Sequence, residues 1–290
     1  MIIMTTQYLV FDIGGTTIKY GLIDEALHLS HEGKCLTEHN HDGLILKQLQ
    51  RVTRDYQAEY SLAGIGVSTA GIVGADGAIQ YAGPTISDYQ GTPIKAALMA
   101  QTGLPVFVVN DVDAALLGEQ LAGGAKGATS AYCVALGTGI GGAYVEDGRL
   151  MTGAHATANS IGYTLYDPLT KTNYEQRAST LTLEYQLAKY QMSVKDAFEE
   201  AKRGTVPYVA IINDWAAEVA TGLASILLLF DPDILLIGGA VSLQGQYLVD
   251  LLNNALKPLL PPDLIKTKIT TAELADKAQL YGAMAGLLIR

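Results

Sequence analysis

Short apolar runs stopped by glycine alternate along this chain with stretches in which apolar residues recur at helical spacing. Residues 7–12 (QYLVFD) form a compact apolar run that gives way to Gly14-Gly15, and 18–24 resumes as a second β-like run, so the pair predicts a hairpin with a glycine turn. From 42 to 60 the spacing predicts a helix whose inner face carries Leu44, Leu46, Leu49, Val52 and Tyr56. Residues 63–68 read as a strand, and VFVVN (106–110) as a strand of the buried parallel type. A helix over 111–121 follows, its acidic start suited to the positive end of the helix dipole. Residues 131–136, GTGIGG and 143–146 then repeat the order strand, glycine turn, strand. Further helices are predicted near 175–189, 206–230, 246–256 and 277–288, with a strand at 233–237.

The recurrence predicts a mixed α/β fold with an internal duplication. No Pro-, Gly- or Ser-rich linker separates the halves, so a boundary near Asn110 reads as a hinge. The expected division is an N-terminal α/β domain of 1–110, joined by the last helix (277–290), and a second α/β domain of 111–276.

Composition narrows the function classes. The 290 residues carry 29 acidic against 19 basic side chains, a net charge of −10, which argues against a nucleic-acid backbone binder. An apolar fraction of 49% with 17% charged residues is that of a globular chain. Cys35 and Cys133 cannot build a disulfide framework or a four-thiolate zinc site. With no basic and apolar leader pattern at the N-terminus, they point to a reducing cytoplasm. The apolar run 223–230 ends at Asp231-Pro232 and is too short to span a bilayer, so no membrane partner is expected. Four of the five histidines (His28, His31, His39, His41) fall in one early stretch that reads as a surface hairpin and loop, and His155 stands apart. They are expected to be solvated, with no metal site.

The glycine turns carry the candidate chemistry. DIGGTTIK (12–19) joins an acid, a glycine turn, two hydroxyls and a lysine. Backbone N–H groups at Gly14 and Gly15 can approach an anion closely, Thr16, Thr17 and Lys19 can reach phosphate oxygens, and Asp12 can orient Mg²⁺ through water. GTGIGG (137–142) matches the letters of the dinucleotide fingerprint, but β-like Ala143-Tyr144-Val145 follows where that fingerprint needs a helix. No Walker-type run exists either. What remains is a second phosphate-cradling hairpin built on Gly137, Thr138, Gly139 and Gly141. A third turn, Gly238-Gly239-Ala240 after the 233–237 strand, is placed to let a flat ring approach the backbone. Two hairpins facing each other across a cleft would grip a nucleotide triphosphate from both sides.

DIGGTTIK, GVSTAG (66–71), NDVDAALLGE (110–119), LGTGIGGA (136–143) and LLIGGAVS (235–242) occur in the order seen in the ROK family of sugar kinases and repressors, and the resemblance runs from Asp12 to the final helix. It implies a duplicated actin-like ATPase (ribonuclease H-like) fold with an interdomain cleft. YAGPTISDYQGT (81–92), IGYTLYDP and YEQRAS further resemble the zinc-lacking N-acetylmannosamine kinases of Gram-positive bacteria. The activity so implied is ATP-dependent phosphorylation of a hexose-type sugar at its 6-hydroxyl, foremost N-acetylmannosamine, with glucose or a β-glucoside as the alternative. Closure over sugar and ATP would expel water, Mg²⁺ would accompany ATP, and the working form would be a homodimer.

Phosphoryl transfer needs positioning, charge stabilisation and one carboxylate for the proton of the attacking hydroxyl. Asp111, where a buried strand meets a helix, matches the catalytic base of the ROK pattern; otherwise it would be a helix cap. Asp113 reads as solvated or structural. Asn110 offers an amide suited to vicinal sugar hydroxyls. Ser68, Thr69 and Gly71 resemble the family's sugar-facing loop, and Glu175 matches the family Glu that contacts the sugar near its anomeric end. The family's E-x-G-H segment is here Ser160-Ile161-Gly162-Tyr163, and the cysteine cluster that binds structural zinc is missing, so no structural zinc is expected. Tyr163 can still hydrogen-bond the sugar, whereas Ser160 lacks the charge and reach of Glu. A non-catalytic sugar-sensing regulator is the alternative from another class; the acidic charge and the absence of a preceding helix-turn-helix argue against DNA binding.

Overall fold

The computed structural model describes residues 6–83 and 86–288. Pro84 and Thr85 of the 81–92 motif lie outside the described residues. The chain divides into two compact units, Met1–Lys126 with Thr152–Ala158 and Asp276–Arg290, and Gly127–Met151 with Asn159–Ala275.

The first unit opens with β1 (Gln7–Ile13), β2 (Thr17–Asp24) and β3 (Leu29–Leu36), then α1 (Leu44–Glu59), β4 (Leu62–Thr69), the short β5 (Ile72–Val73) and β6 (Ile79–Tyr81), α2 (Ile94–Thr102), β7 (Val106–Asn110) and α3 (Asp111–Ala122). Its sheet runs β3-β2-β1-β4-β7; β1 is antiparallel to β2 and parallel to β4. The YLVF run is continuously apolar because both faces of the sheet are covered. Leu9, Phe11 and Ile13 pack towards Ile45, Leu49 and Val52 of α1, while Tyr8 and Val10 pack against Leu280, Ala283 and Met284 of the C-terminal helix Ala278–Leu288.

The second unit repeats this plan with β8 (Ser130–Leu136), β9 (Ile140–Glu146) and β10 (Arg149–Leu150), then α4 (Tyr174–Ala178), α5 (Thr180–Ala188), α6 (Val194–Lys202), α7 (Tyr208–Phe230), β11 (Ile234–Gly238), α8 (Gln246–Leu256) and β12 (Lys268–Thr271). The sheet order β10-β9-β8-β11-β12 reproduces that of the first unit strand for strand, and this shared order within each unit is the duplicated actin-like plan. Tyr132, Val134 and Leu136 of β8 meet Trp215, Val219 and Leu223 of α7 in one core.

Several expectations change. The expected boundary at 110 moves beyond Lys126, because α3 belongs to the first unit. There it crosses the C-terminal helix so closely that a Cβ on Gly118 would overlap the Ala278 carbonyl, and one on Gly282 the Ala114 carbonyl. Helix α1 starts at Leu44 and buries Ile45 in place of Leu44 and Leu46, because a 3₁₀ segment at Glu38–Gly43 resets its phase. The helix expected over 175–189 is two, broken at Ser179, whose ψ of 158° leaves the helical region and whose hydroxyl caps α5 at Thr182 N. The apolar run 223–230 belongs to a 23-residue helix, α7, with the length and hydropathy of a membrane span but packed into the core of the second unit. The early histidine stretch holds edge strand β3 and the 3₁₀ segment. Among the described residues no cluster of His, Cys, Asp or Glu is placed to hold a metal.

Candidate functional site

In the first unit the chemistry gathers at the carboxyl ends of β1, β4 and β7, where open α/β sheets bind their ligands. Asp12 on β1 pairs in register with Lys19 across the hairpin and with Ser68 on β4. The hydroxyl of Ser68 donates to Asp12 Oδ1 at 3.1 Å. Burial raises the Asp12 carboxyl above its ordinary value, opposed by the Ser68 hydrogen bond and the Lys19 charge. Between Asp12 and Lys19 the turn is closed by Gly14 N–H donating to Thr17 O at 2.9 Å. Fully buried Thr37 braces it from outside, its hydroxyl donating to Gly15 O at 2.8 Å and its N–H to Thr16 O at 3.0 Å. A Cβ on Gly14 would meet nothing nearer than Thr17 O at 3.5 Å, so the turn leaves its backbone approachable.

Asn110 ends β7 and caps α3. Its Oδ1 accepts from Val112 N at 2.9 Å and Asp113 N at 3.3 Å, and its Nδ2 donates to Gly71 O at 2.8 Å. The alternative reading of Asp111 as the cap is thereby taken over by its neighbour. Asp111 Oδ1 accepts from Val112 N at 2.9 Å, and burial, then the negative charge of Asp12, push its carboxyl up to about 6. Asp113, expected to be solvated or structural, is instead drawn into this group, its carboxyl pushed up to about 7 by burial and by Asp111. Three carboxyls that favour holding a proton make a site ready to receive cationic charge or a proton.

Ser68 and Thr69, expected to face the sugar, have their side chains engaged within the first unit. Both are fully buried; Ser68 ties the end of β4 to Asp12 of β1, and Thr69 Oγ1 shares a 2.7 Å hydrogen bond with the Tyr89 hydroxyl, tying it to the loop there. Burial raises the Tyr89 phenol, which keeps it a neutral hydrogen-bonding group. Lys19 is likewise engaged, its Nζ 3.1 Å from Asp276 Oδ2. Sequence reasoning missed Thr37, Tyr89 and Asn40. Asn40 donates to Ser87 O at 3.2 Å and Asp88 O at 3.1 Å, and only its burial in the fold sets it apart from the exposed or half-buried residues around it in the 3₁₀ segment.

In the second unit the turn between β8 and β9 is closed by Gly137 N–H donating to Gly139 O at 3.0 Å, with Thr138 exposed at its tip. A Cβ on Gly137 meets nothing nearer than 3.9 Å, an open backbone like that at Gly14. Gly141 lies inside β9. Gly239 has φ of +90°, and a Cβ there would overlap the Leu136 carbonyl, so this position accepts only glycine. It follows buried Gly238, which pairs with Ala135, and precedes exposed Ala240 at the start of a 3₁₀ turn. Glu175 Oε2 accepts from Ile140 N at 2.8 Å, and Ser160 and Tyr163 sit on a 3₁₀ turn over Ile161–Tyr163, with Tyr163 66% exposed.

An uncharacterised protein of Clostridium perfringens is 33% identical over 283 residues, covering 95% of this chain and 96% of its own length. A candidate N-acetylmannosamine kinase of Listeria monocytogenes superposes with a TM-score of 0.85 at 26% identity, covering 98% of this chain and 99% of that one. A glucokinase of Streptomyces griseus, solved with glucose and AMPPNP, superposes with a TM-score of 0.81 at 27% identity, over 97% and 98% of the two chains. The ROK family pattern itself matches residues 8–288, nearly the whole described chain, and this protein belongs to the ROK family.

Proposed function

We propose that this protein transfers the γ-phosphoryl group of ATP to the 6-hydroxyl of a hexose-type sugar, foremost N-acetylmannosamine, with Asp111 as the general base. The coarse reaction is ATP-dependent sugar phosphorylation, as in the glucokinase relatives. The observation that carries the assignment of the base is the carboxyl of Asp111 at about 6, raised by burial and by Asp12. A carboxylate in that range is a stronger base than an ordinary Asp and is still ionised at neutral pH. It would take the proton of the attacking hydroxyl as the phosphorus–oxygen bond forms, while Asn110 holds the neighbouring backbone in place. The glycine turns, open around Gly14 and Gly137, suit phosphate oxygens. Magnesium, which arrives with ATP and neutralises phosphate charge, would find its water-bridged partner in Asp12, a buried carboxyl whose surroundings favour added positive charge.

The preference for N-acetylmannosamine rests on the 81–92 and YEQRAS motifs and on the likeness to the Listeria protein. We further propose a cytoplasmic homodimer without structural zinc. A coupled ADP-release assay over N-acetylmannosamine, N-acetylglucosamine, glucose, mannose and cellobiose tests the assignment. N-acetylmannosamine should give the highest kcat/KM; a higher value for glucose or cellobiose would replace it with the glucokinase or β-glucoside kinase reading. No ADP release with any sugar, together with tight sugar binding, would favour the sensor.

A further inference from the structure

Thr37 and Asn40 follow edge strand β3, and both are buried although Glu38 and His39 between them are exposed. Each has its side-chain hydrogen-bonding groups engaged by distant parts of the first unit. Thr37 holds the phosphate turn, its hydroxyl donating to Gly15 O at 2.8 Å and its N–H to Thr16 O at 3.0 Å. Asn40 N–H donates to Thr37 O at 2.8 Å, which joins the two residues. The Asn40 side chain then spans outward. Its Oδ1 accepts from Ile45 N at 3.1 Å in the first turn of α1, and its Nδ2 donates to Ser87 O at 3.2 Å and Asp88 O at 3.1 Å. The next residue, buried Tyr89, shares the 2.7 Å hydrogen bond of its hydroxyl with Thr69 Oγ1, and Thr92 donates its hydroxyl to Tyr89 O at 2.6 Å. Thr69 pairs in register with Asn110, the residue before Asp111. Contacts within one unit thus run unbroken from the phosphate turn to the candidate base.

We propose that Thr37 and Asn40 are positioning residues that couple the nucleotide to the phosphate acceptor: a nucleotide that settles the Gly14–Thr16 turn also settles the 86–92 segment, which braces the end of β4 beside Asn110. This rests on the kinase reading above and adds to it a link between its two substrates. Burying two polar side chains in a solvent-facing stretch costs free energy that an apolar pair would not. Here each polar group reaches a partner far along the chain, 22 residues away for Thr37 and 47 for Asn40. A buried network whose groups are all paired has few alternative arrangements, so a shift at one end is taken up at the other. Coupling of this kind is reciprocal, and the acceptor must tighten nucleotide binding by the same factor.

The test combines amide exchange on the 86–92 segment with calorimetry of AMPPNP and of the best sugar, each alone and in the presence of the other. In the wild-type protein AMPPNP alone should slow exchange at 86–92 by about fivefold or more and tighten sugar binding by a similar factor. Thr37→Val removes the hydroxyl bond to Gly15 O. Asn40→Asp keeps an acceptor for Ile45 N and removes the amide donors to Ser87 O and Asp88 O. Both variants should lose the response of 86–92 to AMPPNP and bring the coupling between the ligands below about twofold, and Thr37→Ser should recover it. A purely structural role would lower the melting temperature and speed exchange equally with and without AMPPNP, leaving the coupling intact. That outcome overturns the proposal, as does a wild-type protein in which bound AMPPNP leaves 86–92 unchanged. The Thr37→Val and Thr37→Ser pair decides the matter even if Asn40→Asp does not fold. If AMPPNP protects 86–92 but no sugar is phosphorylated, the kinase reading fails alone; an active kinase without the coupling sinks only the present inference.

Discussion

Asp111, Asp113 and Asp12 form a group in which each carboxyl is made harder to ionise by burial, and two of them also by a like charge in the group. If Asp111 takes the proton, kcat/KM should fall as pH drops below about 6, where its carboxyl becomes protonated. Asp111→Asn should lower kcat by about 10²–10⁴-fold and abolish that acid limb, leaving sugar affinity little changed; a folded Asp111→Asn protein with near wild-type turnover would remove Asp111 from the mechanism. Asp113 offers a separate test of the electrostatics. Its carboxyl is held at about 7 against an ordinary 3.8, so between those values the folded chain keeps a proton that the unfolded chain has released. Stability contributed at this position is therefore greatest at low pH and is lost as pH rises through about 7. Asp113→Asn should raise the melting temperature at pH 8 by about 2–4 °C, for roughly 1 kcal/mol relieved, and change it little below about pH 4. Differential scanning fluorimetry across pH checks the sign. The motif letters pointed to Asp111, but not to Asp113, because a sequence does not show that a second acid two positions on is half-buried beside the first.

At the scale of elements, the crossing of α3 with the C-terminal helix positions the amino end of α3, and hence Asp111. Gly118 and Gly282 let the two backbones meet, each facing the other helix's carbonyls. Gly282→Ala should therefore lower the melting temperature measurably, by about 1–3 kcal/mol of overpacking, and should weaken activity through displacement of α3; calorimetry and the ADP-release assay read the two effects. Strands β1, β2, β4, β7, β8, β9 and β11 were legible because their apolar runs are dense and bounded by turns, and so was α3, whereas the short β10 and β12 were not. Edge strand β3, with its exposed and half-buried pattern LSHEGKCL, was not, because an edge strand open to solvent has no need of an apolar face. Helix α1 was found but misphased, since the 3₁₀ turn before it sets which residues point inward. The break between α4 and α5 was invisible for a similar reason. Ser179 is compatible with a helix interior, and the bonds made by Thr180 to the β8–β9 turn decide otherwise.

At the scale of the whole molecule, the missing zinc-loop cysteines lead to a measurable expectation. Metal analysis of the purified protein should return far less than one zinc per chain, and a zinc chelator should leave the melting temperature unchanged; stoichiometric zinc would reverse that reading. Sequence alone determined the duplicated α/β class, the family resemblance and the identity of the candidate base, because glycine turns and apolar strands are local features and five ordered motifs constrain one another. The tertiary structure decided what those residues touch. It moved the boundary past Lys126 by packing α3 on the last helix, buried the hydroxyls of Ser68 and Thr69, and paired Lys19 with Asp276. It also laid the carboxylate of Glu175 against Ile140. Each of these depends on contacts between segments distant along the chain, and which partner a polar group finds is set by burial and register that no local pattern records.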